Sequence, residues 1–184
     1  MSTSWSPPST RTYERGLQGR GATAGVLGGL RAEGWAVFHD VTWPGRQRVN
    51  QVHVAVGPGG VFVVDGKNWS VRIALLDDTI VVDGWRHDEV AAAAARAARA
   101  VADLVGPPAA ATVVPVLCFV RDQPLTGRCH DVLVCSTANL RETLLARPAA
   151  LTPDQVRTAA RQLHRAFRVR AADVSRAGRQ RSAT

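Results

Sequence analysis

The sequence predicts an α/β fold in which a mixed β-sheet, an antiparallel meander joined by later strands, is flanked by helices. Three observations predict it. Gln51 to Val56 alternates valines with Gln51, His53 and Ala55, and the dense turn Gly57-Pro58-Gly59-Gly60 leads straight into Val61 to Lys67, which makes a hairpin. His87 to Val105 is a long alanine-rich helix, with Asp88 and Glu89 near its start and Gly106-Pro107 beyond its end. Val113 to Val120 is an unbroken apolar run of the kind found in a central strand covered on both faces.

The remaining elements follow in chain order. Residues 1–12 are rich in Ser, Thr and Pro and are expected to be disordered; the domain is expected over 13–170, with a basic disordered tail over 171–184. A first helix is expected from Tyr13 to Glu33, because Leu17, Ala24, Leu27 and Leu30 recur at helical steps. Its many glycines weaken a helix, and close approach to a sheet would account for them. Gly34 ends that helix, and Trp35 to Val41 reads as a strand. After the 51–67 hairpin, Val71 to Leu76 and Thr79 to Val82 form a second hairpin across Asp77-Asp78, where turn chemistry explains the two aspartates. Asp131 to Cys135 is a short strand and Leu140 to Leu145 a short helix. Thr152-Pro153-Asp154-Gln155 is a capping box opening a last helix to about Arg168. Ser136 reads as a further cap.

Composition narrows the function classes. At 46% hydrophobic and 21% charged residues the chain is of the globular type, and its net charge of +8 suits a polyanionic partner. No secretory apolar run occupies 1–12, and Arg96, Arg99 and Asp103 interrupt the longest apolar stretch, so a cytoplasmic protein without a membrane span is expected. Cys118, Cys129 and Cys135 form no C-x-x-C pair and are expected to be reduced and structural. His130 beside Cys129 has no second ligand pair at a useful spacing, which argues against a metal there. His39 and His164 read as surface residues without partners.

Lys67 is the one lysine among 23 basic residues. On a strand, Asp65 and Lys67 point to the same face about 7 Å apart along the chain. A carboxylate beside a compact ammonium is the pairing used in metal-assisted phosphodiester chemistry; an edge-strand surface pair in an arginine-biased chain is the alternative.

The run Asn50 to Trp69, above all Gly57-Pro58-Gly59-Gly60-Val61-Phe62-Val63-Val64-Asp65-Gly66-Lys67-Asn68-Trp69, resembles the nuclease-related (NERD) domain. Weaker matches flank it: Gly16-Leu17-Gln18-Gly19, Trp35 to Val41 with Pro44-Gly45, Asp88-Glu89-Val90 and Val114 to Cys118. The resemblance covers about residues 15 to 145. It implies a restriction-endonuclease-like fold and a site of the PD-(D/E)xK type, in which a helix glutamate, a strand aspartate and the D-x-K aspartate surround a divalent metal. Asp65 and Lys67 match that pattern. The helix glutamate position is Arg20, and the aspartate preceding the strand histidine, here His53, is Val52.

Mg²⁺ is the cofactor the resemblance implies, and Asp65 alone would hold it weakly, because Mg²⁺ binds through one or two carboxylates with phosphate and water. Arg20, Lys67 and His53 would instead bind phosphate. The leading expectation is a nuclease-related domain that binds nucleic acid, DNA before RNA, with cleavage impaired or lost. A second reading is an active Mg²⁺-dependent endonuclease with a metal site rebuilt from Glu89 or Asp40. A third is a scaffold using the alanine-rich helix and Trp43, Trp69 and Trp85.

Overall fold

The computed structural model describes residues 21–41, 52–69 and 71–181, with side chains to 168. A helix over 21–29 (α1) tightens into a 3-10 turn, Leu30–Glu33, which stops at Gly34 in the left-handed conformation, φ 80°. Strand β1 (Ala36–Val41) pairs antiparallel with β2 (Val52–Gly57), and β2 with β3 (Gly60–Lys67). The expected hairpin is thus present, closed across Pro58 and Gly59. Gly60 has a φ of 128°, and a Cβ there would lie 2.6 Å from the Thr112 carbonyl, so glycine is required both for the turn and for the close approach.

The second hairpin is β4 (Ile73–Leu76) and β5 (Thr79–Val82), joined by Asp77 and Asp78 with φ 46° and 57°. Two successive left-handed residues between paired strands make a turn of the type that follows strand twist, and Asp tolerates that conformation. With β6 (Trp85–Arg86) these strands form a separate three-stranded sheet rather than extending the meander.

Helix α2 (Asp88–Ala102) then carries the chain back to β7 (Val113–Phe119), which pairs parallel with β3. A hairpin of β8 (Thr126–Cys129) and β9 (Val132–Ser136) completes a six-stranded sheet in the order β1-β2-β3-β7-β9-β8. The fold is the predicted α/β class, with β7 in the interior of the sheet. Sequence reading missed β8, whose Thr-Gly-Arg-Cys run carries no apolar alternation.

Helix α3 (Leu140–Leu145) follows, then α4 (Pro153–Arg181). The capping box at α4 is formed reciprocally: Thr152 N–H donates to Gln155 Oε1 at 2.8 Å and Gln155 N–H to Thr152 Oγ1 at 3.3 Å. Helix α4 continues past Arg168 to Arg181. Ser136 is a tether rather than a helix cap: its hydroxyl lies 2.8 Å from the Gln123 carbonyl and 3.0 Å from Asn139 Oδ1.

Strand alternation divides the core into layers. Val52, Val54, Val56, Val61 and Val63 pack against Ala98 and Val101 of α2 and Val156, Ala159 and Leu163 of α4. Ala55, Phe62 and Val64 face the other way, against Leu27 and Leu30 of the N-terminal helix and Leu140 and Leu144 of α3. The small sheet closes a third cluster, in which Ile80 and Val82 meet Ala91 and Ala94 of α2 with Leu117 and Phe119. Close approach does not explain the glycines of α1: a Cβ at Gly21, Gly25, Gly28 or Gly29 would meet nothing within 4 Å.

Candidate functional site

Asp65 and Lys67 lie at the C-terminal end of β3, where register with β7 sets them beside Leu117 and Phe119. Both project toward the α2 face, as Val61 and Val63 do from the same strand. Lys67 Nζ sits 2.9 Å from Asp65 Oδ2; the carboxylate side chain is 5% exposed and the lysine 19%. Burial pushes the Asp65 carboxyl above its ordinary value, and the charge and hydrogen bond of Lys67 pull it back only in part. An ammonium has three donors, so Lys67 can hold Asp65 and still offer protons toward solvent.

Two residues beyond Lys67, rings cluster. Trp69 packs on Phe119, with centroids 5.5 Å apart, and on His87 at 5.7 Å. Trp69 is therefore a packing residue at the sheet end. Trp85 stands 77% exposed on the small sheet, and Trp43 lies outside the described residues.

Of the residues expected at the phosphate site, Arg20 also lies outside the described residues. His53 is fully buried and pairs in register with Val64, which faces the α1 and α3 side. It therefore points away from Asp65 and Lys67, through the other face of the sheet. There its Nδ1 lies 3.4 Å from Nδ1 of His39, the rings meeting edge to face, so His39 has a partner that sequence reading did not give it. Burial and the Arg31 charge lower the His39 pKa.

Val52, by contrast, shares the Asp65 face. Extending the ladder by one residue from His53 and Val64 sets Val52 against Asp65, and Val41 pairs with Val52 on its other side. Val52 is 2% exposed within the apolar layer. A carboxylate at this position would adjoin Asp65; a valine gives it an apolar wall.

Neither candidate for a rebuilt metal site belongs to a group of three possible ligands among the described residues. Glu89, exposed on the first turn of α2, lies 2.9 Å from His87 Nδ1. Asp40 is exposed with a left-handed φ of 51°, its backbone N–H 3.5 Å from His53 Nδ1. Among the described residues, the three side chains of metal-ligating type that converge are Asp88, Cys129 and His130. Sequence spacing could not reveal this group, because α2 brings Asp88 to the β8–β9 turn across the intervening strands.

Basic charge gathers on α4. Arg157, Arg161, Arg165 and Arg168 are exposed and recur at three- and four-residue steps, while Val156, Ala159 and Leu163 pack inward. Arg157 pairs with Asp154 and Arg161 Nη2 bonds Thr158 Oγ1 at 3.0 Å. No described helix is long and apolar enough to cross a membrane.

Neither the curated proteins nor the solved structures gave a match to the chain. A model of the nuclease-related domain, NERD, matches residues 15–120, more than half of the chain, and takes in β1 to β7 and α2 together with Asp65 and Lys67. The chain belongs to the nuclease-related domain (NERD) family.

Proposed function

We propose that this NERD domain binds nucleic acid, DNA in preference to RNA, through phosphate contacts at Lys67, and that its metal-dependent cleavage is impaired. One observation carries the reading: the D-x-K carboxylate has a cation at 2.9 Å on one side and a buried valine across the strand on the other. A Mg²⁺ site needs oxygen donors that stay ionised and a ligand number that water and phosphate can complete. Asp65 supplies one carboxylate whose ionisation burial opposes, and it is not part of the one three-ligand group among the described residues. The described residues around Asp65 do not fit the metal. Lys67 fits a phosphate, and Arg20 is the second cation proposed for it. The exposed arginines of α4 extend the cationic surface available to a long polyanion.

The test uses the full chain with fluorescently labelled duplex DNA, single-stranded DNA and RNA. Anisotropy at low salt should show binding that weakens as salt rises, linear in the logarithms, with the tightest binding to DNA. Lys67→Ala should weaken it and lower the salt slope by up to about one phosphate contact. Plasmid incubated with Mg²⁺ or Mn²⁺ should stay intact, whereas Arg20→Glu combined with Val52→Asp should confer nicking. Absence of binding at low salt overturns the binding half of the proposal. Metal-dependent nicking by the unaltered chain, abolished in Lys67→Ala, overturns the impaired-cleavage half.

A further inference from the structure

We propose that Asp88, Cys129 and His130 form a binding site for a borderline-soft divalent transition-metal ion, Zn²⁺ foremost, at the β8 edge of the sheet and separate from Asp65 and Lys67. Three strand spacings, about 14 Å, lie between β3 and β8, so the two sites are independent. This inference does not rest on the nucleic-acid reading.

The backbone holds the three residues in place. Cys129 ends β8, Val132 begins β9 opposite it, and His130 occupies the two-residue turn between them with a left-handed φ of 52°. Asp88 is the first residue of α2. One ligand atom from each residue lies within 4.8 Å of the others, and Cys129 Sγ is 4.0 Å from Asp88 Oδ1. Tetrahedral zinc with bonds of about 2.0–2.3 Å places its ligand atoms about 3.3–3.8 Å apart, so a closing movement of about 1 Å forms the centre. His130 is exposed and free to make most of that movement, while Cys129 is buried and fixes the floor.

The carboxylate is already divided between two tasks. Arg86 directs Nε and Nη2 to Asp88 Oδ2, at 3.3 and 2.9 Å, and its Nη2 also bonds Thr79 Oγ1 at 2.9 Å. The far oxygen is thereby anchored and Oδ1 is left facing the thiol. An outer donor that orients a ligating carboxylate is the usual supporting arrangement around a bound metal.

The donor set selects the ion. Thiolate, imidazole and carboxylate suit zinc, whereas Mg²⁺ and Ca²⁺ take oxygen alone. Burial raises the Cys129 thiol, with Asp88 and Asp78 adding to the rise and the Ile80 backbone and Arg86 opposing it. The two aspartates that hinder a bare thiolate favour a dication in the same place, and a bound dication deprotonates the thiol. Three protein ligands leave a fourth position for water, and the ion would tie the β8–β9 turn to the start of α2.

Cobalt(II) titration of the full chain, stripped of metal beforehand, tests the proposal. One equivalent should bind with a thiolate-to-cobalt charge-transfer band and the visible bands of four-coordinate cobalt, and Zn²⁺ should displace it. Cys129→Ser should remove the charge-transfer band. His130→Ala, an exposed change whose folding is checked by circular dichroism, should weaken affinity at least about tenfold. The proposal is overturned if no thiolate band forms, if the band survives in Cys129→Ser, or if folded His130→Ala binds cobalt as the parent does.

Discussion

The β1–β2–β3 meander carries one polar pair on each face, and the two are built on opposite principles. On the α2 side Asp65 and Lys67 are a carboxylate and an ammonium in contact, the lysine favouring the ionised carboxylate. On the α1 side His39 and His53 are two imidazoles whose nearest nitrogens are 3.4 Å apart, a spacing that suits neutral rings and penalises two cations. Burial acts on both sides in one direction, toward neutrality: it raises the Asp65 pKa and lowers that of His39. An ion can remain inside such a sheet only beside a counter-ion, whereas histidine can remain by discharging. Lys67 is therefore a structural necessity for Asp65 as well as a phosphate ligand in the proposed function.

Removing the counter-ion should give the largest effect. Lys67→Ala leaves an uncompensated buried carboxylate and should cost about 3–5 kcal/mol at neutral pH, and less in acid where Asp65 takes up a proton; urea unfolding at the two pH values checks this. The α1 side is closed at the other end of β2, where a Cβ on Gly57 would fall 2.2 Å from the Trp35 ring, stacked on Phe62. Gly57→Ala should cost about 1–3 kcal/mol by overpacking, seen as a lower urea midpoint with an unchanged slope.

The two pairs should also titrate with opposite signs. Folded Asp65 keeps its proton above 3.8, where the unfolded chain has released it. Its contribution to stability therefore declines as pH rises from 3.8 through the raised folded value, and Asp65→Asn should abolish that decline. Folded His39 stays neutral below 6.5, where the unfolded chain already binds a proton. Its contribution declines as pH falls from 6.5 through the lowered folded value, and His39→Gln should flatten that limb. Unfolding midpoints across both pH ranges measure these slopes. If they share one sign, the contrast between the faces is wrong.

Most of the fold was legible because its signals are local. The Gly57–Gly60 turn, the Asp77-Asp78 turn, the apolar run of β7 and the capping box at Thr152 each specify their element within a few residues. The motif of the site was equally local, since Asp65 and Lys67 share a face by strand period alone. What failed depended on tertiary placement. Nothing in the spacing of His39 and His53 predicts that the bulge between Phe38 and Val41 lets their rings meet. Strand parity could have shown that His53 and Asp65 face opposite ways, but only once Val64 was known to be the partner of His53. Cys129 and His130 looked isolated because Asp88 reaches them only after α2 is docked.

The parallel pairing of Val61 through Lys67 with Val113 through Phe119 has a kinetic consequence. That ladder joins strands separated by the whole small sheet and α2, so its loop-closure entropy must be met before its contacts form. The β2–β3 and β4–β5 hairpins and α2 can assemble without it. Docking of β7 should then limit the folding rate, leaving the edge of β3 and Asp65 exposed to solvent until the last step.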